Sequence, residues 1–217
     1  MGALPTARRA LIVAPHPDDE AIAACGLISS LLRQGTTVEV LVVSDGGASH
    51  PGSRRWPRLR LVAERRRETL RAMRGLGLTP HAVTFLGLPD GSLASAPKLL
   101  ERRLVRALRP RGAPDLIVGP ETTDDHADHR AVACALASIR RQGERRLGYH
   151  VWPVNAARGA RPYRVVLKAA ALAIKRRIVR SYRTQAGAIM DSPTGFRMTH
   201  RHVKAFAAPI EQFAVIR

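Results

Sequence analysis

The sequence predicts an α/β protein built on a doubly wound, mainly parallel sheet with helices on both faces. Three observations carry that prediction. Short apolar runs such as Ala10 to Ala14 are continuous rather than alternating, as expected of strands buried on both faces. They alternate with Ala- and Leu-rich stretches of helical length, such as Ala21 to Arg33. Dense polar clusters follow the apolar runs directly, at the sheet edge where α/β proteins place ligand contacts.

The elements are predicted in the following order. A strand over Ala10 to Ala14 leads into a helix over Ala21 to Arg33, stopped at Gly35, and then a strand over Thr37 to Val43. That spacing is a βαβ unit with parallel strands. A polar loop, Ser44 to Pro57, carries Asp45, Gly46, Gly47 and His50. A helix over Pro57 to Leu76 closes at Gly75 and Gly77, and a strand over His81 to Leu86 precedes the turn Pro89-Asp90-Gly91. A helix over Ala96 to Leu108, a strand over Asp115 to Gly119, a helix over Arg130 to Arg141 and a strand over Leu147 to Val154 continue the alternation. Arg164 to Lys168 reads either as a strand or as the start of an Ala-rich helix running to Tyr182. Asp191 to Arg217 has weak periodicity and is expected to wrap the surface, with a short strand near Phe213. Residues 1–217 are expected to form one domain, the usual outcome at this length.

Composition narrows the function. Hydrophobic residues make up 45% but aromatic residues only 4%, so the core must be built from aliphatic side chains. The net charge of +19 suggests a polyanionic neighbour. Only four of the 36 basic residues are Lys (Lys98, Lys168, Lys175, Lys204), a bias toward Arg that composition alone also explains. No recognition-helix or aromatic–basic pattern is present, so no specific nucleic-acid partner is expected. The run Lys175-Arg176-Arg177-Ile178-Val179-Arg180 reads as the solvated face of a helix, or as a contact for an anionic surface or a phosphorylated substrate. Cys25 and Cys134 read as buried free thiols without a disulfide framework. The apolar run after Arg8 and Arg9 is too short for a signal-peptide core, and no segment is long enough to span a bilayer, so a soluble, cytoplasmic protein is expected.

Two clusters carry the chemistry. His16-Pro17-Asp18-Asp19-Glu20 follows the first strand, and Asp124-Asp125-His126-Ala127-Asp128-His129 follows the fourth. In a doubly wound sheet those strands are neighbours at the switch point, so the two loops meet. His16, Asp19 and His129 make a facial set of two imidazoles and a carboxylate, which suits a divalent metal with room left for water. Asp18 is then free to act as general base toward that water. His126 is placed to stabilise or protonate a developing tetrahedral species, and Asp128 to fix a neighbouring imidazole. Glu20 is left as a first-turn carboxylate favourable to the helix dipole.

On Pro15-His16-Pro17-Asp18-Asp19-Glu20 and His126-Ala127-Asp128-His129 the sequence resembles the N-acetylglucosaminyl-phosphatidylinositol deacetylase-like (PIG-L/LmbE-like) family. Weaker matches are Arg65-Arg66-Arg67-Glu68, Leu88-Pro89-Asp90-Gly91 and Tyr182-Arg183-Thr184-Gln185. The resemblance implies a Rossmann-like fold and a zinc-dependent hydrolase, with Fe2+ as an alternative metal, that removes the acetyl group from an N-acetylglucosamine conjugate. It implies zinc on His16, Asp19 and His129, Asp18 as general base, and His126 as acid or electrostatic catalyst. Arg65 and Asp90 correspond to the family's sugar-contacting positions. Ala127 stands where the family commonly has Pro, and the Tyr that some members carry before the second motif is replaced here by Asp124 and Asp125. Two other classes compete with this reading. One is a nucleic-acid or anionic-surface binding protein with a degenerate metal site, supported by the charge alone. The other is a different metal hydrolase such as a phosphoesterase, which more often needs two metals.

Overall fold

The computed structural model describes residues 6–108, 114–140, 143–156 and 162–216. Seven strands form one sheet: β1 (Arg9–Ala14), β2 (Thr37–Ser44), β3 (Val83–Leu88), β4 (Leu116–Pro120), β5 (Arg145–Tyr149), β6 (Tyr163–Val166) and β7 (Ile210–Ile216). Their order across the sheet is β3-β2-β1-β4-β5-β7-β6. The first five strands are parallel; β7 runs antiparallel to both β5 and β6. Six α-helices flank the sheet: α1 (Asp19–Arg33), α2 (Arg58–Gly75), α3 (Pro97–Leu108), α4 (Ala127–Ser138), α5 (Ala169–Ser181) and α6 (His200–Phe206).

The alternation of side chains along each strand divides the core in two. On one face Ile12, Ala14, Val40 and Val42 pack against Leu27, Ile28 and Leu31 of α1, Met73 of α2 and Val179 of α5. On the other, Leu11, Val13, Leu41 and Val43 pack against Leu100 and Leu104 of α3 and Val132 and Leu136 of α4. This arrangement is the doubly wound one predicted, and β1 and β4 are direct neighbours, with Ala10 opposite Leu116. Among the described residues, no helix is long and apolar enough to cross a membrane.

Four expectations need correcting. The C-terminal stretch does not wrap the surface: it forms α6 and then β7, a seven-residue strand inserted between β5 and β6. The short strand expected near Phe213 is β7, longer than expected, because Glu211 interrupts its apolar residues in the sequence. Lys175 does not belong to a solvated face. It is buried, and its Nζ donates to Glu211 Oε1 at 2.8 Å. The same carboxylate accepts the Gly26 and Leu27 N–H groups of α1 at 2.8 and 3.0 Å, an approach that a side chain at Gly26 would crowd. Cys134 is exposed while Cys25 is buried. Finally, α4 begins at Ala127 rather than Arg130, because His126 caps it; Arg141, the expected end, lies outside the described residues.

The buried Lys175–Glu211 pair ties α5, β7 and α1 together. Removing one member strands a charge in the core, a loss on the order of 3–5 kcal/mol. The Lys175→Ala variant should therefore unfold at clearly lower denaturant concentration than wild type. An unchanged midpoint would contradict the pairing.

Candidate active site

The loops that leave the C-terminal ends of β1, β2, β3 and β4 meet over the switch point. Backbone bonds lace them together: Ser44 N–H donates to Pro15 O, and Asp45 N–H to Leu88 O, both at 2.8 Å. The chain after β1 turns sharply into α1 at Asp18, whose φ of 131° is a conformation few non-glycine residues adopt. Such strain costs on the order of 1–3 kcal/mol and persists where surrounding contacts enforce it. Here Glu20 Oε2 accepts the Asp18 N–H at 3.1 Å, and the Tyr182 hydroxyl donates to Glu20 Oε1. Glu20 is thus a buried brace for the Asp18 turn as well as a first-turn acid.

The consequence of this turn is a compact triangle of donors. His16 Nδ1, Asp19 Oδ2 and His129 Nε2 are each 3.2 Å from the other two. Tetrahedral bonds of about 2.0–2.1 Å, typical of zinc, set ligand atoms about 3.3 Å apart. The three atoms therefore fit one face of a tetrahedron around a single cation. His126 stands beside them, its ring centroid 4.7 Å from His16 and 4.9 Å from His129. Its Nδ1 accepts the Asp128 N–H at 3.2 Å, so a neutral His126 carries its proton on Nε2. A second convergence, of His16 with Asp90 and Asp128, involves the other nitrogen of His16. Asp90 Oδ1 and Asp128 Oδ2 lie 3.1 and 3.3 Å from Nε2, the position of carboxylates that orient an imidazole rather than of metal ligands. Asp128 is itself fixed by the N–H groups of Gly91 and Leu93 at 2.8 and 3.0 Å.

His129 has a matching support that the sequence reading did not assign. Asp124 Oδ2 faces His129 Nδ1 at 3.2 Å and accepts the Val151 and Trp152 N–H groups at 2.8 and 3.2 Å. Asp124 Oδ1 accepts the His126 N–H at 2.9 Å. One buried carboxylate thus holds the His129 ring, the start of α4 and the chain after β5. The available signal was its place as the first residue of the second cluster; its neighbour Asp125 is exposed.

Asp18 projects beside the triangle, with Oδ2 3.3 Å from Arg65 Nη2. Arg65 is buried and donates to Pro17 O at 2.6 Å and to Gly46 O at 3.0 Å, which joins the first two loops. A side chain at Gly46, where φ is +67°, would sit within 3 Å of that guanidinium. Asp90 also braces a loop, because its Oδ2 accepts the Ala48 N–H at 2.9 Å.

The electrostatics divide the residues. Burial pushes Asp18 up to about 8, against the pull of Arg65 and with the added push of Asp19 and Glu20. Burial would also raise Asp19, but His129 and His16 outweigh it and hold Asp19 far below the carboxylate range. Burial lowers His126, and its neighbours His16 and His129 lower it further, which keeps it neutral. Burial drives Glu20 up to about 7, with the Tyr182 hydroxyl opposing.

A cavity of about 260 Å³ opens in front of these groups. Its lining combines polar groups, among them His16, Asp18, Asp19, Arg65, Asp90 and His126, with the apolar side chains of Ile22, Val151, Trp152, Phe196 and Phe206. The exposed arginines Arg176, Arg177 and Arg180 of α5 surround a different surface depression with Arg71 and Arg183.

Comparison with known proteins bears on the family and the fold. A model of the family described as PIG-L, GlcNAc-PI de-N-acetylase, matches residues 11–139, more than half of the chain. The 2'-N-acetylparomamine deacetylase of Streptomyces fradiae is 30% identical over 138 residues, 57% of this chain and 49% of that protein, so the match spans about half the length of that relative. Among solved structures, the N,N'-diacetylchitobiose deacetylase from Pyrococcus horikoshii superposes with a TM-score of 0.71 at 19% identity, over 99% of this chain and 87% of that one. The A40926 pseudoaglycone deacetylase Dbv21 has the same TM-score at 20% identity, over 97% and 98% of the two chains. With the family model matching more than half of the chain and both motifs inside the matched region, the chain belongs to the PIG-L family.

Proposed function

We propose that this protein is a zinc-dependent N-deacetylase that hydrolyses the acetamide of an N-acetylglucosamine-containing conjugate. The observation that carries the reading is the triangle of His16, Asp19 and His129, with a further carboxylate, Asp18, outside the triangle and lining the same cavity. His16, Asp19 and His129 would hold the metal, which supplies Lewis acidity toward water and the acetyl carbonyl. Asp18 takes the proton from the attacking water and returns it toward the departing amine. With its Nδ1 accepting the Asp128 N–H, His126 has its Nε2–H to donate to the carbonyl oxygen as negative charge develops there. Asp128 and Asp124 keep His16 and His129 turned toward the shared centre, so the site is organised in advance. Two features favour amide hydrolysis over phosphoester chemistry: one triangle sized for a single cation, and a cavity in which Arg65, the one Lys or Arg among its described lining residues, already pairs with Asp18 and two carbonyls. A panel of N-acetylglucosamine conjugates assayed for acetate release tests the reading. Release from at least one supports it, and silence across the panel with metal-loaded protein contradicts it.

A further inference from the structure

The apolar side of the cavity has no part in the chemistry above, yet it is built as deliberately. Trp152, on the chain after β5, stands edge-on to Phe196, His202 and Phe206, with centroid distances of 5.8, 5.8 and 5.4 Å. Those three rings stack on one another at interplanar angles of 25° and 16°. The cluster gathers three of the chain's six Trp and Phe residues at one place. It is pinned to the polar side at two points. Asp124 accepts the Trp152 N–H while facing His129, and the Phe196 N–H donates to Ser49 O at 2.8 Å in the loop after β2. The whole cluster lies after residue 139, where the family match ends.

We propose that Trp152 and Phe196 form a stacking subsite for the apolar face of one neutral pyranose ring. The inference rests on the deacetylase reading and specifies its substrate. A pyranose carries hydroxyls on its edge and C–H groups on its faces. The cavity lining has both complements, the polar groups of Arg65, Asp90 and Gln185 and the aromatic rings of Trp152, Phe196 and Phe206. Its volume of about 260 Å³ falls just below the roughly 300–1,000 Å³ of pockets for drug-sized ligands. One ring fits, and the rest of a conjugate extends outward. The ring held there is uncharged, because the guanidinium of Arg65 is spent on Asp18, Pro17 O and Gly46 O. Any phosphate on the substrate lies outside the cavity.

The chain has two tryptophans, and Trp56 is on the surface beneath Arg60. In a Trp56→Phe background, fluorescence therefore reports on Trp152 alone. Titration with the methyl glycoside of N-acetylglucosamine should give a saturable change, and N-acetylethanolamine, which has the amide but no ring, should bind far more weakly. Phe196→Ala should weaken glycoside binding and lower kcat/KM about tenfold through KM, and Phe196→Tyr should restore both. Glycoside binding unchanged in Phe196→Ala, or equal losses for the two ligands, would overturn the stacking subsite. Binding of N-acetylglucosamine 6-phosphate more than tenfold tighter than the neutral glycoside would overturn the uncharged pocket. The two readings fail separately. Acetate release unaffected by Phe196→Ala removes the wall and leaves the deacetylase. A Trp152 response that needs Phe196, without acetate release, removes the deacetylase and leaves the wall.

Discussion

Replacing Asp18 with Asn should lower kcat by about 10²–10⁴-fold, the range for loss of a positioned general base, while metal content and fold are retained. Asn is the informative substitution because of the backbone. At φ 131° an Ala would add strain of its own, whereas Asn and Asp tolerate positive φ better than other side chains. Arg65 keeps its bonds to Pro17 O and Gly46 O in the variant, so the two loops stay joined. Acetate-release kinetics alongside elemental analysis of the purified protein separate the two effects. Turnover near the wild-type value would remove Asp18 from the mechanism, and loss of metal would make it a ligand.

The second large effect concerns His129 and its support. His129→Ala deletes one vertex of the donor triangle and should abolish both stoichiometric metal binding and turnover. Asp124→Asn leaves the triangle's atoms in place but removes the carboxylate facing His129 Nδ1, so metal affinity should fall about 10–100-fold. Competition with a chromophoric chelator measures both. Wild-type affinity in Asp124→Asn would mean that Asp124 serves the backbone N–H groups of His126, Val151 and Trp152 and not the His129 ring.

What the sequence revealed and what it concealed follow from the range over which each signal acts. The strands β1 and β4 were legible because a parallel sheet buried on both faces favours unbroken apolar runs, and Leu11-Ile12-Val13 and Leu116-Ile117-Val118 are such runs; β5, expected over Leu147 to Val154, instead spans Arg145–Tyr149, since its two leading arginines do not read as strand. The meeting of His16 with His129 was legible because switch-point topology, not side-chain detail, brings β1 beside β4. The strand near Phe213 was legible, but its full length and its place inside the sheet were not, because Glu211 breaks its pattern and the partner of that carboxylate, Lys175, lies 36 positions away. Asp124 and Glu20 appeared in the sequence only as surplus carboxylates. Their work is to hold other residues' nitrogens, His129 Nδ1 for one and the Asp18 N–H for the other, and such partnerships leave no spacing to read. The aromatic wall was concealed for the same reason: Trp152, Phe196 and Phe206 come from three separate segments.

Metal-dependent acetate release tests the central claim most directly. Protein stripped with chelator and then dialysed should release no acetate from the methyl glycoside of N-acetylglucosamine or from larger conjugates of that sugar. Titrating zinc back should restore activity linearly to a break at one metal per chain. Full activity in the stripped protein, or a break at two metals per chain, would contradict a single-metal site on His16, Asp19 and His129.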